Sequence, residues 1–221
     1  MSVDPRSGIV LQLEPVEGRS SYVELGPAEL EGLAASVACS LRAAGVRAGD
    51  KLLVYDFSTS LASLALTRAY VPGLRAGACD EIGCSVMSLD GLPSLAARAA
   101  FFYSLMRPEA LIVRRELLAP LRARLRQEGL RSNPKLRSLI EVSRDPLAPL
   151  TAEIPGARTL YVVDSALFLA LIDGSGRVDY PADLYETACD GGSLSVRPSF
   201  ARGLGFARTQ LRCAGEEVIA S

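Results

Sequence analysis

A carboxylate closing a buried apolar run is the feature of this chain most suited to chemistry. Lys51-Leu-Leu-Val-Tyr55 reads as a strand, Asp56 follows it, and Ser58 and Thr59 stand where the next helix begins. Open α/β sheets bind ligands beyond the carboxyl ends of their strands, which makes Asp56 and Ser58 candidate ligand-binding residues. The same polar cluster suits a helix cap, whose side-chain oxygens accept from the first backbone N–H groups. Both roles fit the spacing, the cap being the simpler.

Two absences exclude whole classes of catalysis. The chain has no histidine, so Ser-His-Asp and Cys-His mechanisms and histidine-ligated metal sites are excluded within it. The five cysteines, Cys39, Cys79, Cys84, Cys189 and Cys213, are scattered singly rather than in zinc-binding pairs. Cys79 and Cys84 flank Gly83 at a helix-to-strand turn and read as small buried hydrophobes rather than as a redox pair. No catalytic residue and no metal ligand is assigned.

Composition bounds the partners. With 221 residues, 49% of them hydrophobic, the chain is long enough to bury a sizeable core. A formal net charge of −1 supplies no field that would recruit nucleic acid or an anionic membrane. The longest apolar run, from Thr159 to Ile172, is interrupted by Asp164 and too short to span a bilayer. The first residues lack a basic-then-apolar signal pattern, so a cytoplasmic location is expected.

The elements that must position these residues follow from periodicity. Gly8–Leu13 and Ser21–Leu25 predict a β-hairpin around Glu17-Gly18. A helix is expected from Gly26-Pro27 to about Ala44, with Leu30, Leu33, Val37 and Leu41 on one face. Strands are expected at 51–57, 85–89, 110–113 and 136–142, alternating with helices at 59–70, 93–106 and 117–129. The 93–106 helix is expected to bury Leu95, Phe102 and Leu105. Phe101, Phe102 and Tyr103 are consecutive, so at least one of them must meet another element or another subunit. The arginines of the third helix (Arg122, Arg124, Arg126, with Arg131 just beyond) read as a solvated face. Asp173-Gly-Ser-Gly176 reads as a hairpin turn, and Gly203-Leu-Gly-Phe-Ala-Arg208 as a loop.

Strands alternating with helices of this length imply right-handed parallel βαβ units. The expected fold class is α/β, a mainly parallel sheet flanked by helices with a mixed or antiparallel β addition in the C-terminal third. One compact domain over 1–221 is expected, with its natural subdivision between a βαβ layer (1–150) and a β-rich addition (151–221).

The order of three segments adds a resemblance. Leu41–Asp50 is a helix end, a Gly45 stop and a Gly49-Asp50 turn; Gly77–Val86 is a second helix-to-strand turn; Arg107-Pro-Glu-Ala-Leu-Ile-Val113 leads into a third strand. This succession resembles the adenylate-forming enzymes, in particular the phenylacetate–CoA ligase branch, and runs from about Arg6 to Val113. Leu136-Arg-Ser-Leu-Ile140 continues it, resembling the strand before that family's Gly-Glu-Pro element.

The resemblance implies the large domain of such ligases, with ATP or AMP, or CoA, as the ligands to expect. It also implies that much of their chemistry is altered here. The family's phosphate loop, roughly Thr-Ser-Gly-Thr-Thr-Gly-Lys-Pro, falls on Arg6-Ser7-Gly8 followed by the apolar Ile9–Leu13. Gly-Glu-Pro falls on Arg144-Asp145-Pro146. The Tyr-Gly-x-Thr-Glu element falls on Tyr161–Ser165, keeping Tyr161 and placing Asp164 where threonine would stand. One carboxylate without partners makes a poor magnesium site. The ribose-binding Tyr-Arg-Thr-Gly-Asp falls on Arg212–Glu216, where Gly215-Glu216 is a loose echo. The lysine-bearing C-terminal domain is expected to be absent, since the sequence ends at Ser221.

The candidate ligand residues are therefore Asp56, Ser58, Asp145, Tyr161 and Asp164. The expected function is a truncated, catalytically degenerate relative serving in binding, regulation or assembly. The alternative is a component of an ATP-dependent acyl- or aryl-CoA ligase completed by a partner chain. A homo-oligomer or a ligase-like partner chain is the expected company.

Overall fold

The computed structural model describes residues 9–16, 19–56, 65–67, 76–129, 133–143, 157–163, 168–172, 176–180, 182–199 and 206–220. The chain opens with an antiparallel hairpin, β1 (Ile9–Val16) and β2 (Arg19–Leu25), in which Leu11 faces Val23. Helix α1 (Pro27–Ala43) follows, with proline in its first turn, where no N–H is needed. Its buried stripe, Leu30, Leu33, Ala34, Val37, Ala38 and Leu41, repeats at the three- and four-residue spacing that places side chains on one helix face.

The central sheet has seven strands in the order β4-β3-β5-β6-β7-β8-β9. They are β3 (Lys51–Tyr55), β4 (Ser85–Leu89), β5 (Ala110–Arg114), β6 (Ser138–Ser143), β7 (Ala157–Val163), β8 (Phe168–Ile172) and β9 (Val178–Asp179). The strands from β4 through β7 are mutually parallel, while β8 and β9 are antiparallel additions. Helix α2 (Ala78–Ile82) precedes β4, α3 (Ala96–Met106) lies between β4 and β5, and α4 (Arg115–Gln127) lies between β5 and β6.

Alternation along the strands sends side chains to two cores, as the two-residue strand period requires. Leu52, Val54, Ile112 and Ile140 pack with α1 and α2. Leu53, Tyr55, Leu111, Val113 and Leu139 pack with α3 and α4 on the other face. The result is the helix–sheet–helix layering expected of a parallel sheet, whose strands are buried on both sides.

A separate antiparallel sheet, β10-β11-β12-β13, is built from Tyr185–Asp190, Ser193–Pro198, Ala207–Ala214 and Glu217–Ala220. Ala170 and Ile172 of β8 share a third core with Tyr185, Leu194, Val196 and Leu211 of this sheet. The buried Ser36 and Tyr185 hydroxyls, 2.7 Å apart, tie it to α1.

The α/β class and the antiparallel addition are as the sequence implies, with three local differences. The buried side of α3 is Ala96, Ala99, Ala100 and Tyr103, while Leu105 is 68% and Phe101 58% exposed. Small residues let this helix lie close to the sheet, which turns the two larger side chains outward. Ala207 and Arg208 begin β12 instead of belonging to a loop. Cys189 and Cys213, distant in sequence, form a disulfide, whereas Cys39, Cys79 and Cys84 are free thiols. The helix expected at 59–70 lies largely outside the described residues, and 65–67 are not helical.

The Gly49-Asp50 turn is a structural clamp at the amino ends of the strands. Asp50 is buried; its Oδ2 accepts from the Arg47 backbone N–H at 2.8 Å and its Oδ1 from the Arg137 guanidinium. Lys51 donates its backbone N–H to the Glu109 carboxylate at 2.8 Å and its ammonium to the Met106 carbonyl at 2.6 Å. The buried start of β3 is thereby satisfied by neighbouring segments.

Gly77 and Gly83 delimit α2. Gly83 takes the left-handed conformation (φ 81°) that ends the helix, a geometry glycine adopts without steric cost. Gly77 is needed for space, because a Cβ there would run into the Thr67 backbone and the Leu66 carbonyl. The contact is fixed by hydrogen bonds from Ala78 N–H to the Ala65 carbonyl and from Cys79 N–H to the Leu66 carbonyl, both 2.8 Å. Gly77→Ala is expected to destabilise the fold by roughly 2–3 kcal/mol, the cost typical of forced overpacking. A shifted urea midpoint with unchanged slope checks this.

Candidate functional site

The strand order fixes where a crevice must form. From the central β3 the chain moves outward to β4, then returns across β3 to β5 and continues to β6 and β7. α2, before β4, lies on one face; α4, after β5, lies on the other. The connections leaving β3 and β5 therefore part company at the carboxyl ends of these two strands. In a doubly wound sheet this is the topological switch point, where ligands bind.

Asp56 and Arg114 occupy that point. Tyr55 is paired with Val113 in the parallel register, so the next residues of each strand, Asp56 and Arg114, are neighbours. Arg114 Nε donates to Asp56 Oδ1 at 2.8 Å. Asp56 is 0% exposed and the Arg114 side chain 15%, so this is a buried, charge-assisted pair. Arg114, across the strands, is a described partner of Asp56. Ser58 and Thr59, which the cap reading requires, lie outside the described residues.

Glu141 adds a second buried carboxyl on β6, opposite Val113 and Thr159. Alternation puts it on the α4 face, where Oε2 has no hydrogen-bond partner among the described residues. Burial pushes its carboxyl above the usual glutamate range, while the nearby Arg115 and Arg122 guanidinium groups pull it back down. Nη2 of Arg122 is also buried and unbonded among the described residues, so this arginine is not a purely solvated one. Arg124 and Arg126 are exposed, as expected of that face. On the neighbouring strand, Tyr161 has its backbone paired with Ser143 and Ala170.

Of the five candidates from sequence, Asp56 stands at the switch point and Tyr161 lies on β7, two strands beyond β5. Ser58, Asp145 and Asp164 fall outside the described residues. Arg114 and Glu141 were not foreseen. Their signals were present: a cation directly after Ala-Leu-Ile-Val113, and a lone carboxylate inside Leu139-Ile-Glu-Val142. The Arg212–Glu216 segment forms the end of β12 and the turn into β13.

This architecture is that of the adenylate-forming acyl-CoA ligases. Particular solved structures make the likeness concrete. A 2-hydroxyisobutyryl-CoA ligase with 2-HIB-AMP and CoA aligns with 92% of this chain and 51% of its own, at 16% identity and TM-score 0.65. An acyl-CoA synthetase (AMP-forming)/AMP-acid ligase II-like protein from Dyadobacter fermentans aligns with 97% of this chain and 59% of its own, at 14% identity and TM-score 0.64. The N-terminal domain of FACL13 from Mycobacterium tuberculosis aligns with the whole chain and 61% of its own, at 13% identity and TM-score 0.63. The chain thus spans about half to three-fifths of the length of these structures. No family model matches it, and no curated relative does.

Two features of the described residues bear on the nucleotide and metal of such ligases. A phosphate cradle needs successive backbone N–H groups converging on one point, as at a helix N-terminus or a nest. Ile9–Leu13 is instead extended and paired with β2, so its N–H groups alternate in direction. No cluster of three His, Cys, Asp or Glu side chains able to hold a metal ion occurs among the described residues. Nor is any of their helices long and apolar enough to cross a membrane.

Two outcomes follow for stability. Asp56→Ala leaves Arg114 without its buried partner and is expected to cost roughly 3–5 kcal/mol, as broken buried pairs do. Combined with Arg114→Met the cost should fall well below the sum of the single losses, in a urea-denaturation double-mutant cycle. For Glu141, the folded state holds its proton more tightly than the unfolded state. Its contribution is therefore most favourable below the ordinary glutamate range and declines as pH rises toward the folded pKa. Glu141→Gln should gain stability relative to the parent as pH goes from 4 to 7, read from urea midpoints.

Proposed function

We propose that this chain is a ligase-fold module that has lost autonomous adenylation and acts by binding or assembly. The observation that carries this reading is the buried Asp56–Arg114 pair at the switch point. A ligand entering between β3 and β5 would have to displace or solvate both charges. The desolvation of a separated pair costs several kcal/mol per ion, which opposes casual entry. The extended β1, in place of a phosphate loop, argues in the same direction.

In this reading the chain uses the ligase scaffold for its surfaces and not for acyl transfer. Asp56, Ser58, Asp145, Tyr161 and Asp164 mark the remnant of a ligand cleft, with Arg114 added from the structure. A homo-oligomer is one way such a scaffold would assemble.

A second reading has its own support. The chain aligns with 46–61% of the first six ligase structures, which is compatible with one part of a divided ligase. There the Asp56–Arg114 pair would open when a partner chain completes the cleft, and the partner would supply the phosphate and lysine chemistry.

ATP–pyrophosphate exchange with a panel of aryl and aliphatic acids separates these readings. The proposal expects no exchange above background from the chain alone, and no calorimetric signal for ATP, AMP or CoA at millimolar concentration. Exchange by the chain alone would overturn it. Exchange that appears only on mixing with a second, ligase-like chain would favour the second reading.

A further inference from the structure

Away from the switch point, a cleft of about 280 Å³ opens between the last turns of α1 and the β8–β9 edge. Its lining comprises Cys39, Ser40 and Ala43 of α1, Leu171 of β8, and Asp179, Tyr180 and Asp183 from β9 and the helical turn after it. It shares no residue with the Asp56–Arg114 pair or with Glu141. One wall is apolar, through Ala43 and Leu171; the other carries two carboxylates and a phenol.

Three observations define its chemistry. First, Asp179 and Asp183 are exposed, and neither forms an ion pair with any described residue. Arg42, on the same helix as Ser40, is engaged with Glu81 at 2.8 Å. Second, Ser40 is 3% exposed, yet its Oγ has no hydrogen-bond partner among the described residues. A buried hydroxyl left unbonded carries a desolvation cost that a ligand donor or acceptor in the cleft would remove. Third, burial and then Asp183 push the Cys39 thiol above its ordinary range, so this cysteine is a poor nucleophile and the negative field reaches it.

We propose that this cleft binds a small organic cation, a primary amine or guanidine on a short apolar stem, through Asp179, Asp183 and the Ser40 hydroxyl. The positive head lies between the carboxylates, where charge-assisted hydrogen bonds are strongest. The stem lies on Ala43 and Leu171, and the Ser40 hydroxyl oxygen completes the acceptor set. A few convergent polar groups on an otherwise apolar wall is the usual construction of a small-ligand site, and the volume suits a compact ligand. The same chemistry exists in a lysine side chain of a protein, which the limited volume disfavours.

The test uses the full chain with agmatine and n-butylamine as probes, n-butyrate as the anionic control and the tripeptide Gly-Lys-Gly as the peptide arm. Calorimetry gives affinity, and iodoacetamide labelling read by mass spectrometry gives access to Cys39. Agmatine is expected to bind and to slow Cys39 labelling at least threefold without changing that of Cys84. Asp179→Asn and Asp183→Asn should each weaken binding roughly tenfold, and Ser40→Ala by a smaller factor, while the urea midpoints of the two surface aspartate variants stay unchanged. The proposal is overturned if neither amine binds, if n-butyrate binds as well as n-butylamine, or if the doubly substituted variant binds agmatine like the parent. Tighter binding of the tripeptide than of the free amines would overturn the small-molecule assignment.

Discussion

The parallel register between β3 and β5 is the constraint on which the rest of this structure depends. Pairing Tyr55 with Val113 sets Asp56 beside Arg114, and their charges meet where the strands are buried. The same register aligns Leu52 with Ala110 and Val54 with Ile112, so a slip of one residue would exchange the side chains of a strand between the two cores. An ion pair in such a place adds little net stability compared with apolar side chains of the same size. Its stronger effect is on specificity, since any misregistered pairing would strand a charge in the core.

The opposite end of the sheet uses the same physics for another purpose. Asp50, Lys51, Glu109 and Arg137 join the amino ends of β3, β5 and β6 through hydrogen bonds that include a buried carboxylate. These groups close a structural edge, where polar satisfaction is sufficient. The carboxyl ends carry the switch point, where the connections diverge, and there the buried Asp56 and Arg114 charges meet. Polar pairs at the two ends of one sheet thus differ in consequence because topology, and not chemistry, decides which end is open.

Much of the frame was legible in the sequence. The hairpin at β1–β2, helix α1 and the strands at 51–55, 85–89 and 110–114 follow from apolar periodicity and glycine stops, which are local signals. The face of α3 was not legible in the same way. Leu105 and Phe101 have the hydrophobicity of core residues, but the buried side of the helix is taken by Ala96, Ala99, Ala100 and Tyr103. The disulfide between Cys189 and Cys213 was hidden for a similar reason. Their proximity arises from the folding of β10, β11 and β12 beside one another, and spacing in the chain carries no trace of it. Of the candidate site, Asp56 was readable as the residue after a buried strand, whereas Arg114 and Glu141 drew no notice because each is a single charge at the end of, or inside, an apolar segment.

The sequence alone determined the alternation of strands and helices, the exclusion of histidine chemistry and the place of a carboxylate at a strand end. These are properties of short segments, set by side-chain period and composition. Only the tertiary structure decided that this carboxylate meets an arginine 58 residues away and that Cys39 and Asp183 border one cleft. Such meetings depend on strand order and on which face each connection takes. The burial of the whole chain fixes those choices, and no local pattern contains them.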